Sequence, residues 1–213
     1  MFLYFRMLIT MVVGLYTSRV VLSSLGIDDY GLYNVVGGIV VLLSFLNGAM
    51  ASSTQRYMNI ELGRNNLEGL KKVYANSMLI HIGVAVIVVL LAETIGLCFL
   101  NNFMNIDASR LCAANWVYQF SIAAFVVNIL SVPYNATIIA HERMSAFAYL
   151  SIAEVFCKLI VALLISVAPF DKLIFYALLI FLVGVVVRFV YIFLPPPIGI
   201  ILLVWTNCLM DWT

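Results

Sequence analysis

Charged residues are scarce in this sequence. Only 10% of its 213 residues are Asp, Glu, Lys or Arg, while 65% are hydrophobic; soluble domains carry about 25% charged residues. The mean hydropathy is +1.12. A net charge of +1 does not provide the basic surface that nucleic acid requires, so we expect no nucleic-acid partner. The composition indicates an integral membrane protein.

Residues that bind metals or carry out catalysis are few and dispersed. There is no G-x-S-x-G motif and no phosphate-binding glycine loop, and the two histidines stand alone in the sequence. We therefore predict no catalytic residue, no metal site and no cofactor, and interpret the chain as a non-enzyme. Four cysteines without any short C-x-x-C spacing are interpreted as small apolar helix residues: Cys98, Cys112, Cys157 and Cys208.

Long apolar runs dominate the rest of the sequence. A membrane-spanning helix needs about 20 mainly apolar residues, and turn or charge clusters divide this chain into six such stretches. The sequence thus predicts an all-α, polytopic membrane protein, with residues 1–194 forming a six-helix transmembrane lobe and 195–213 a separate tail. The predicted spans are residues 2–25, 32–55, 74–100, 111–138, 147–168 and 173–194.

Basic residues in the loops predict the orientation. The polar segment 56–72 after the second span contains four of them, and Arg143 follows the fourth span. The loops on the other side contain only Arg110 and Lys172. Because cytoplasmic loops carry the excess of Lys and Arg, we expect both termini and the even-numbered loops to face the cytoplasm.

Charged residues within spans are the first candidates for a site, because each is costly in lipid without a partner or a wet cavity. Glu154 and Lys158 are four residues apart, so they share a helix face with Ser151. They are interpreted either as a polar patch lining a substrate cavity or as a self-neutralised pair. Arg19 in the first span either extends to the interface or belongs to a polar stripe with Tyr16 and Ser23.

The second span carries small and polar residues along one face. This pattern indicates close helix packing or a polar cavity lining, and both interpretations remain open from the residues alone. Arg6 and Asn47 are further cavity candidates because of their depth and face. The stripe consists of Gly37, Ser44, Gly48, Ala51 and Gln55.

Several motifs resemble those of polysaccharide-biosynthesis flippases, the Wzx-like branch of the multidrug/oligosaccharidyl-lipid/polysaccharide exporter superfamily. The resemblance extends from about residue 2 to residue 191. It includes an opening arginine followed by a D-Y-G-x-Y element. The motifs are LYTSRVVL at 15–22, DYGLYN at 29–34, ELGR at 61–64, LKK at 70–72, ANWVYQF at 114–120, PYNA at 133–136 and IAHERM at 139–144.

That resemblance implies a MATE-like transporter in the bacterial cytoplasmic (inner) membrane. Its cargo would be an undecaprenyl-diphosphate-linked oligosaccharide for surface polysaccharide or lipopolysaccharide, moved by alternating access coupled to ion gradients. Arg19 occupies the family's first-helix arginine position, and Arg56 the basic position that closes the second helix. A diphosphate suits a cationic site, because charge-assisted hydrogen bonds are strong in a low dielectric. The substrate-binding candidates are Arg6, Arg19, Asn47, Gln55, Arg56, Glu154 and Lys158.

The chain departs from that family in length. Members have two lobes of six or seven spans, whereas six spans are followed here by Pro195-Pro196-Pro197, which stop a helix. We expect a truncated half, with a frameshift at the proline codons as the hypothesis for the tail. A second lobe, or another copy of the chain, would complete it. The alternatives are a MATE-type small-molecule exporter, a membrane-embedded glycan polymerase or ligase, and an inactive truncated product.

Overall fold

Helices and their short connections make up the whole of the part that the structure covers, and that part contains no strand. The computed structural model describes residues 2–41, 44–102, 104, 106–107, 110–140, 144–165 and 171–193. The predicted tail, 195–213, lies outside these residues. The helices are α1 (Phe2–Leu25), α2 (Ile27–Val41), α3 (Ser44–Gly63), α4 (Leu67–Leu91), a π-helical turn (Ala92–Gly96), α5 (Leu97–Asn102), α6 (Leu111–Ala140), α7 (Met144–Ile165) and α8 (Lys172–Phe193).

Five helical segments are long and apolar enough to cross a membrane, among the residues described. Their outward faces are rich in large apolar side chains, such as Leu90 on α4, Leu163 on α7 and Phe189 on α8. An exposed apolar surface on this scale is stable in lipid and not in water. These five helices confirm the prediction of an all-α, polytopic membrane protein. The five segments are 4–25, 67–100, 111–140, 148–165 and 172–190.

The predicted second span, residues 32–55, is described only in part. Its described residues belong to α2 and to α3, which continues to Gly63. Neither described helix is among the segments that are long and apolar enough to cross a membrane. Residues 42–43 between them lie outside the description, so six spans remain a prediction.

The polar segment 56–72, predicted to be a loop, is largely helical. The segment 56–72 contributes to α3 and α4, and only Arg64–Asn66 separates the two helices. Asn65 adopts a left-handed backbone there, with φ of 52°, which Asn tolerates better than most residues. Asn66 then caps α4, because its Oδ1 accepts a hydrogen bond from the Gly69 N–H at 3.0 Å.

The connection between α1 and α2 is tighter than expected. The predicted spans 2–25 and 32–55 leave residues 26–31 as their connection, but only Gly26 is non-helical there, with φ of 85°. Glycine readily adopts this left-handed conformation at the end of a helix. Asp28 and Asp29 then occupy the first turn of α2, where negative charge favours the helix dipole.

Helix α6 lies at the centre of the bundle and packs against α2, α3, α4 and α8. Its buried side chains include Val117, Tyr118 and Ile129, all fully enclosed. Helix α1 lies at the edge and packs mainly on α7. These two helices run parallel, because Arg6 contacts Ser151 at one end and Val21 packs with Val161–Ile165 at the other.

Candidate functional site

An ion-pair cluster defines one end of the bundle. Arg110 lies 3.2 Å from Asp29 at the start of α2 and 3.2 Å from Asp171 before α8. Lys172 reaches the Ser24 carbonyl at 3.5 Å. The connections before α2, α6 and α8 therefore meet at this end, as the alternating direction of the predicted spans requires.

The opposite end carries the basic residues around the α3–α4 turn. Arg64 pairs with Glu61 at 3.4 Å across one turn of α3. Lys71 and Lys72 lie in the first two turns of α4. Helix α4 and its continuation to Asn102 extend from this end to the end with the Arg110 cluster. The basic α3–α4 turn and the connections that carry Asp29 and Asp171 therefore lie at opposite ends of the bundle.

Three predicted site residues come together where α1 meets α7. The Arg6 guanidinium donates a hydrogen bond to Ser151 Oγ at 3.2 Å, and the Lys158 ammonium lies 2.7 Å from Glu154. Ser151, Glu154 and Lys158 share one face of α7 at helical spacing. The ion pair that the spacing predicts is therefore formed, and both of its side chains are partly exposed. Its role as the lining of a substrate cavity stays a prediction.

Arg19 is not part of that patch. Its side chain lies on the exposed face of α1, whereas Arg6 lies on the face that packs against α7. Tyr16 and Ser23 are exposed on the same side as Arg19, as the predicted polar stripe requires. Within the residues that the structure covers, no acidic group pairs with Arg19.

Arg56 and Gln55 line a shallow cavity that is open to the surroundings and formed by α3 alone. Its other lining residues are Ser52, Asn59 and Ile60. Its lining therefore combines one guanidinium, two side-chain amides and a hydroxyl. Arg56 has no ion-pair partner among the described residues. Such a set of donors suits a phosphate or a sugar hydroxyl.

Asn47 lies two turns earlier on α3 and does not line this cavity. Its Oδ1 is buried and has no hydrogen-bond partner within the part described. The nearby stripe does not support close helix packing inside this bundle: a Cβ added at Gly37 or Gly48 would meet nothing within 4 Å among those residues. Among the described residues, Gly37 and Gly48 therefore leave open space beside α2 and α3.

A second cavity, between α3 and α4, was not predicted. It has a volume of about 310 Å³, and Thr54, Tyr57, Asn76 and His81 are among its lining residues. His81 is 1% exposed. Sequence reasoning treated this histidine as isolated. A useful signal was available, since an ionisable residue in the middle of an apolar span is a functional candidate by default.

The π-helical turn was also unforeseen. The Tyr118 hydroxyl of α6 donates to the Ala92 carbonyl at 3.0 Å, and Gln119 Nε2 donates to Glu93 Oε2 at 3.2 Å. A Cβ at Gly96 would lie 1.7 Å from the Tyr118 hydroxyl oxygen. Glycine is therefore required at this position if Tyr118 is to reach the turn. The apolar sequence gives no periodic signal for such a bulge.

Comparison with known proteins adds no relative: no family model matches the chain, and no curated protein or solved structure is significantly similar to it.

Proposed function

We propose that the chain is one lobe of a flippase that moves lipid-linked oligosaccharide across the bacterial cytoplasmic membrane, for surface polysaccharide, by alternating access. The observation that carries this proposal is the pair of uncompensated arginines. Arg19 and Arg56 are exposed on helices of a membrane protein, and neither has an acidic partner among the described residues. A buried or lipid-facing guanidinium is costly without an anion. The sequence resemblance supplies the class of cargo.

The chemistry of the remaining candidates favours an anionic cargo over a cation. Glu154 is the only carboxylate among the predicted site residues, and Lys158 lies 2.7 Å from it. A small-cation exporter needs an acidic group free to bind the cation, and this one is neutralised. Arg6 adds positive charge at the same helix pair. A diphosphate would instead find several guanidinium and amide donors.

In this proposal Arg56, Gln55 and Asn59 bind the diphosphate or the first sugars at the α3 cavity, near the α3–α4 turn. Arg19 lies toward the opposite end of the bundle, beside the Arg110 cluster, and would contact the cargo on that side of the membrane. The exposed faces of α1 and α3 would face a second lobe or another copy of the chain. The end with Arg64, Lys71 and Lys72 would be cytoplasmic, following the excess of basic residues. Alternating access requires two bodies that move against each other, so pairing is part of the proposal.

Binding of a lipid diphosphate tests the proposal directly. The full chain, in lipid nanodiscs, would be titrated with a polyprenyl diphosphate oligosaccharide and with the corresponding polyprenyl alcohol. We expect the diphosphate to bind more tightly. Arg19→Gln and Arg56→Gln should each weaken that binding about tenfold, the cost of one charged hydrogen bond. Arg64→Gln is the matched control, because Arg64 is paired with Glu61 at the turn and should leave binding unchanged.

Two results would contradict the proposal. Equal affinity for the alcohol and the diphosphate would show that the arginines do not select an anion. Binding of a lipophilic cation that is insensitive to Arg19→Gln and Arg56→Gln would favour the small-molecule exporter. Restored surface polysaccharide in a strain that lacks its flippase would show that the chain pairs into a working transporter.

A further inference from the structure

His81 is the one histidine within the described residues, and it lies deep in a membrane-spanning segment. The segment 67–100 is 34 residues long, and His81 is within three residues of its centre. Its side chain is 99% buried. An imidazole at this depth needs a protein partner, water or a proton for each ring nitrogen that the apolar surroundings do not satisfy.

The hydrogen bonding determines which ring nitrogen carries the proton. His81 Nδ1 lies 2.6 Å from the Ser77 carbonyl oxygen one turn earlier on α4. A carbonyl oxygen can only accept, so Nδ1 must donate and hold the proton of the neutral ring. Nε2 is then a bare lone pair on the opposite edge of the ring, pointing away from the α4 backbone.

No protein group within the described residues satisfies that lone pair. His81 Nε2 is buried and has no hydrogen-bond partner there, yet His81 lines the cavity between α3 and α4. The cavity has a volume of about 310 Å³, enough for several waters at about 30 Å³ each. Ser53, Thr54 and Asn76 are polar groups in a lining that is otherwise mostly apolar. Water in the cavity would be held by hydrogen bonds to these side chains.

We propose that the α3–α4 cavity is a water-filled proton site in which His81 Nε2 accepts the proton. Nδ1 keeps its hydrogen bond to Ser77. Nε2 is enclosed in this structure, so a lining side chain has to move before a cavity water can bring the proton to it. Protonation creates an imidazolium beside the hydroxyl and amide oxygens of the walls. In the flippase this would be the binding site of a coupling proton, a role that rests on the proposed function.

The other ionisable groups nearby do not neutralise the site. From α3, Tyr57 lines the cavity, while Arg56 and Glu61 are not among its lining residues. From α6, Tyr134 packs edge-on against Tyr74, two turns before His81 on α4. No carboxylate lines the cavity within the part of the chain described. A proton arriving at His81 would therefore bring new positive charge between α3 and α4, which would favour separation of the two helices and wetter walls.

The test follows the two ring nitrogens directly. His141→Gln leaves His81 as the sole histidine of the full chain, which would be purified with a histidine-free tag and placed in nanodiscs with ¹⁵N-labelled histidine. Nitrogen NMR between about pH 5 and 8 covers the range in which histidine usually titrates. We expect Nδ1 to be protonated throughout and Nε2 to gain a proton as the pH falls.

Neighbouring serines provide a matched pair of variants. Ser53 lines the α3–α4 cavity, whereas Ser52 lines the other cavity of α3. Ser53→Leu should fill the proton site and abolish the pH-dependent change at Nε2, while Ser52→Leu should leave it intact. Asn76→Leu fills the same cavity from α4 and provides a second test if Ser53→Leu does not fold.

Each outcome of these NMR measurements supports or overturns a named part of the proposal. An Nε2 that is protonated at every pH, or one that never gains a proton, makes His81 a structural histidine and overturns the proposal. If Nε2 still gains a proton in both Ser53→Leu and Asn76→Leu, the proton does not reach His81 through the cavity, and this part of the proposal is overturned. Because the signal comes from the ring itself, titration in a chain that does not bind the lipid diphosphate would overturn the proposed function and leave the proton site standing.

Discussion

The central helix and the edge helix of this bundle use their surfaces differently. Half of the apolar window of α6 is buried inside the protein, against 6% of that of α1. Two polar side chains of α6, Tyr118 and Gln119, hydrogen-bond the π-helical turn. Helix α1 leaves Arg19 and a row of large apolar residues exposed. The comparison suggests that α6 determines stability and that α1 is available for function.

The largest effect should come from a cavity in the centre. Ile129 of α6 is fully buried, so Ile129→Ala should destabilise the chain by about 3 kcal/mol through lost packing contacts. Met11→Ala on α1, where Met11 is 64% exposed, should change stability by less than about 0.5 kcal/mol. Thermal unfolding in nanodiscs would measure both. Equal losses of stability in the two variants would show that the central and the edge helix do not differ.

A smaller loss is expected at the π-helical turn. Gly96→Ala would place a methyl group against the buried Tyr118 hydroxyl and should cost about 2 kcal/mol through overpacking. Gly83→Ala on the same helix is the control, because a Cβ there meets nothing within 4 Å among the described residues. Adding Tyr118→Phe should recover part of the loss in a double-mutant cycle. Additive losses would show that the two residues do not interact.

The ion pairs at one end should contribute less. Arg110 is 44% exposed in its side chain, so Arg110→Gln should lower the free energy of unfolding by no more than about 1 kcal/mol. Salt should screen the wild-type pairs and reduce the difference between the two chains. Unfolding at low and high salt would measure this. A loss that is independent of salt would mean that Arg110 acts through packing instead.

The smallest effect on stability is expected at the edge. Arg19 lies on the exposed face of α1 without an acidic partner among the described residues, so Arg19→Gln should leave thermal unfolding unchanged. The same variant is expected to lose diphosphate binding. A clear drop in the unfolding temperature would instead mean that Arg19 stabilises the fold. The edge helix α1 and the central helix α6 would then not differ in this respect.

The sequence predicted the helices well where apolar runs were long and uninterrupted. The fourth and sixth spans agree with α6 and α8 within a few residues. The prediction of a loop at 56–72 was wrong, because charge density alone does not end a helix. Helix α3 ends at Gly63, Asn65 adopts a left-handed backbone, and Asn66 caps the start of α4.

The candidate site was predicted only in part, because distant residues meet through the fold. The Glu154–Lys158 pair follows from a spacing of four. Arg6 and Ser151 are in contact although they are 145 positions apart. Depth in the span and helix face predicted each of them as part of a polar patch, but the sequence did not predict that the two residues meet. The Arg110 cluster draws on three separate connections. His81 was visible as a residue, but its cavity depends on how α3 packs against α4.

The parallel contact between α1 and α7 also has a consequence for biosynthesis. Arg6 meets Ser151 only after 145 further residues have been made, which takes roughly 7 to 29 seconds at about 5–20 residues per second. During that interval the first helix has to wait in the membrane without its contact to Ser151. A ribosome-stalled intermediate ending before residue 144 should therefore depend on the insertion machinery to hold its first helix, and a longer one should release it.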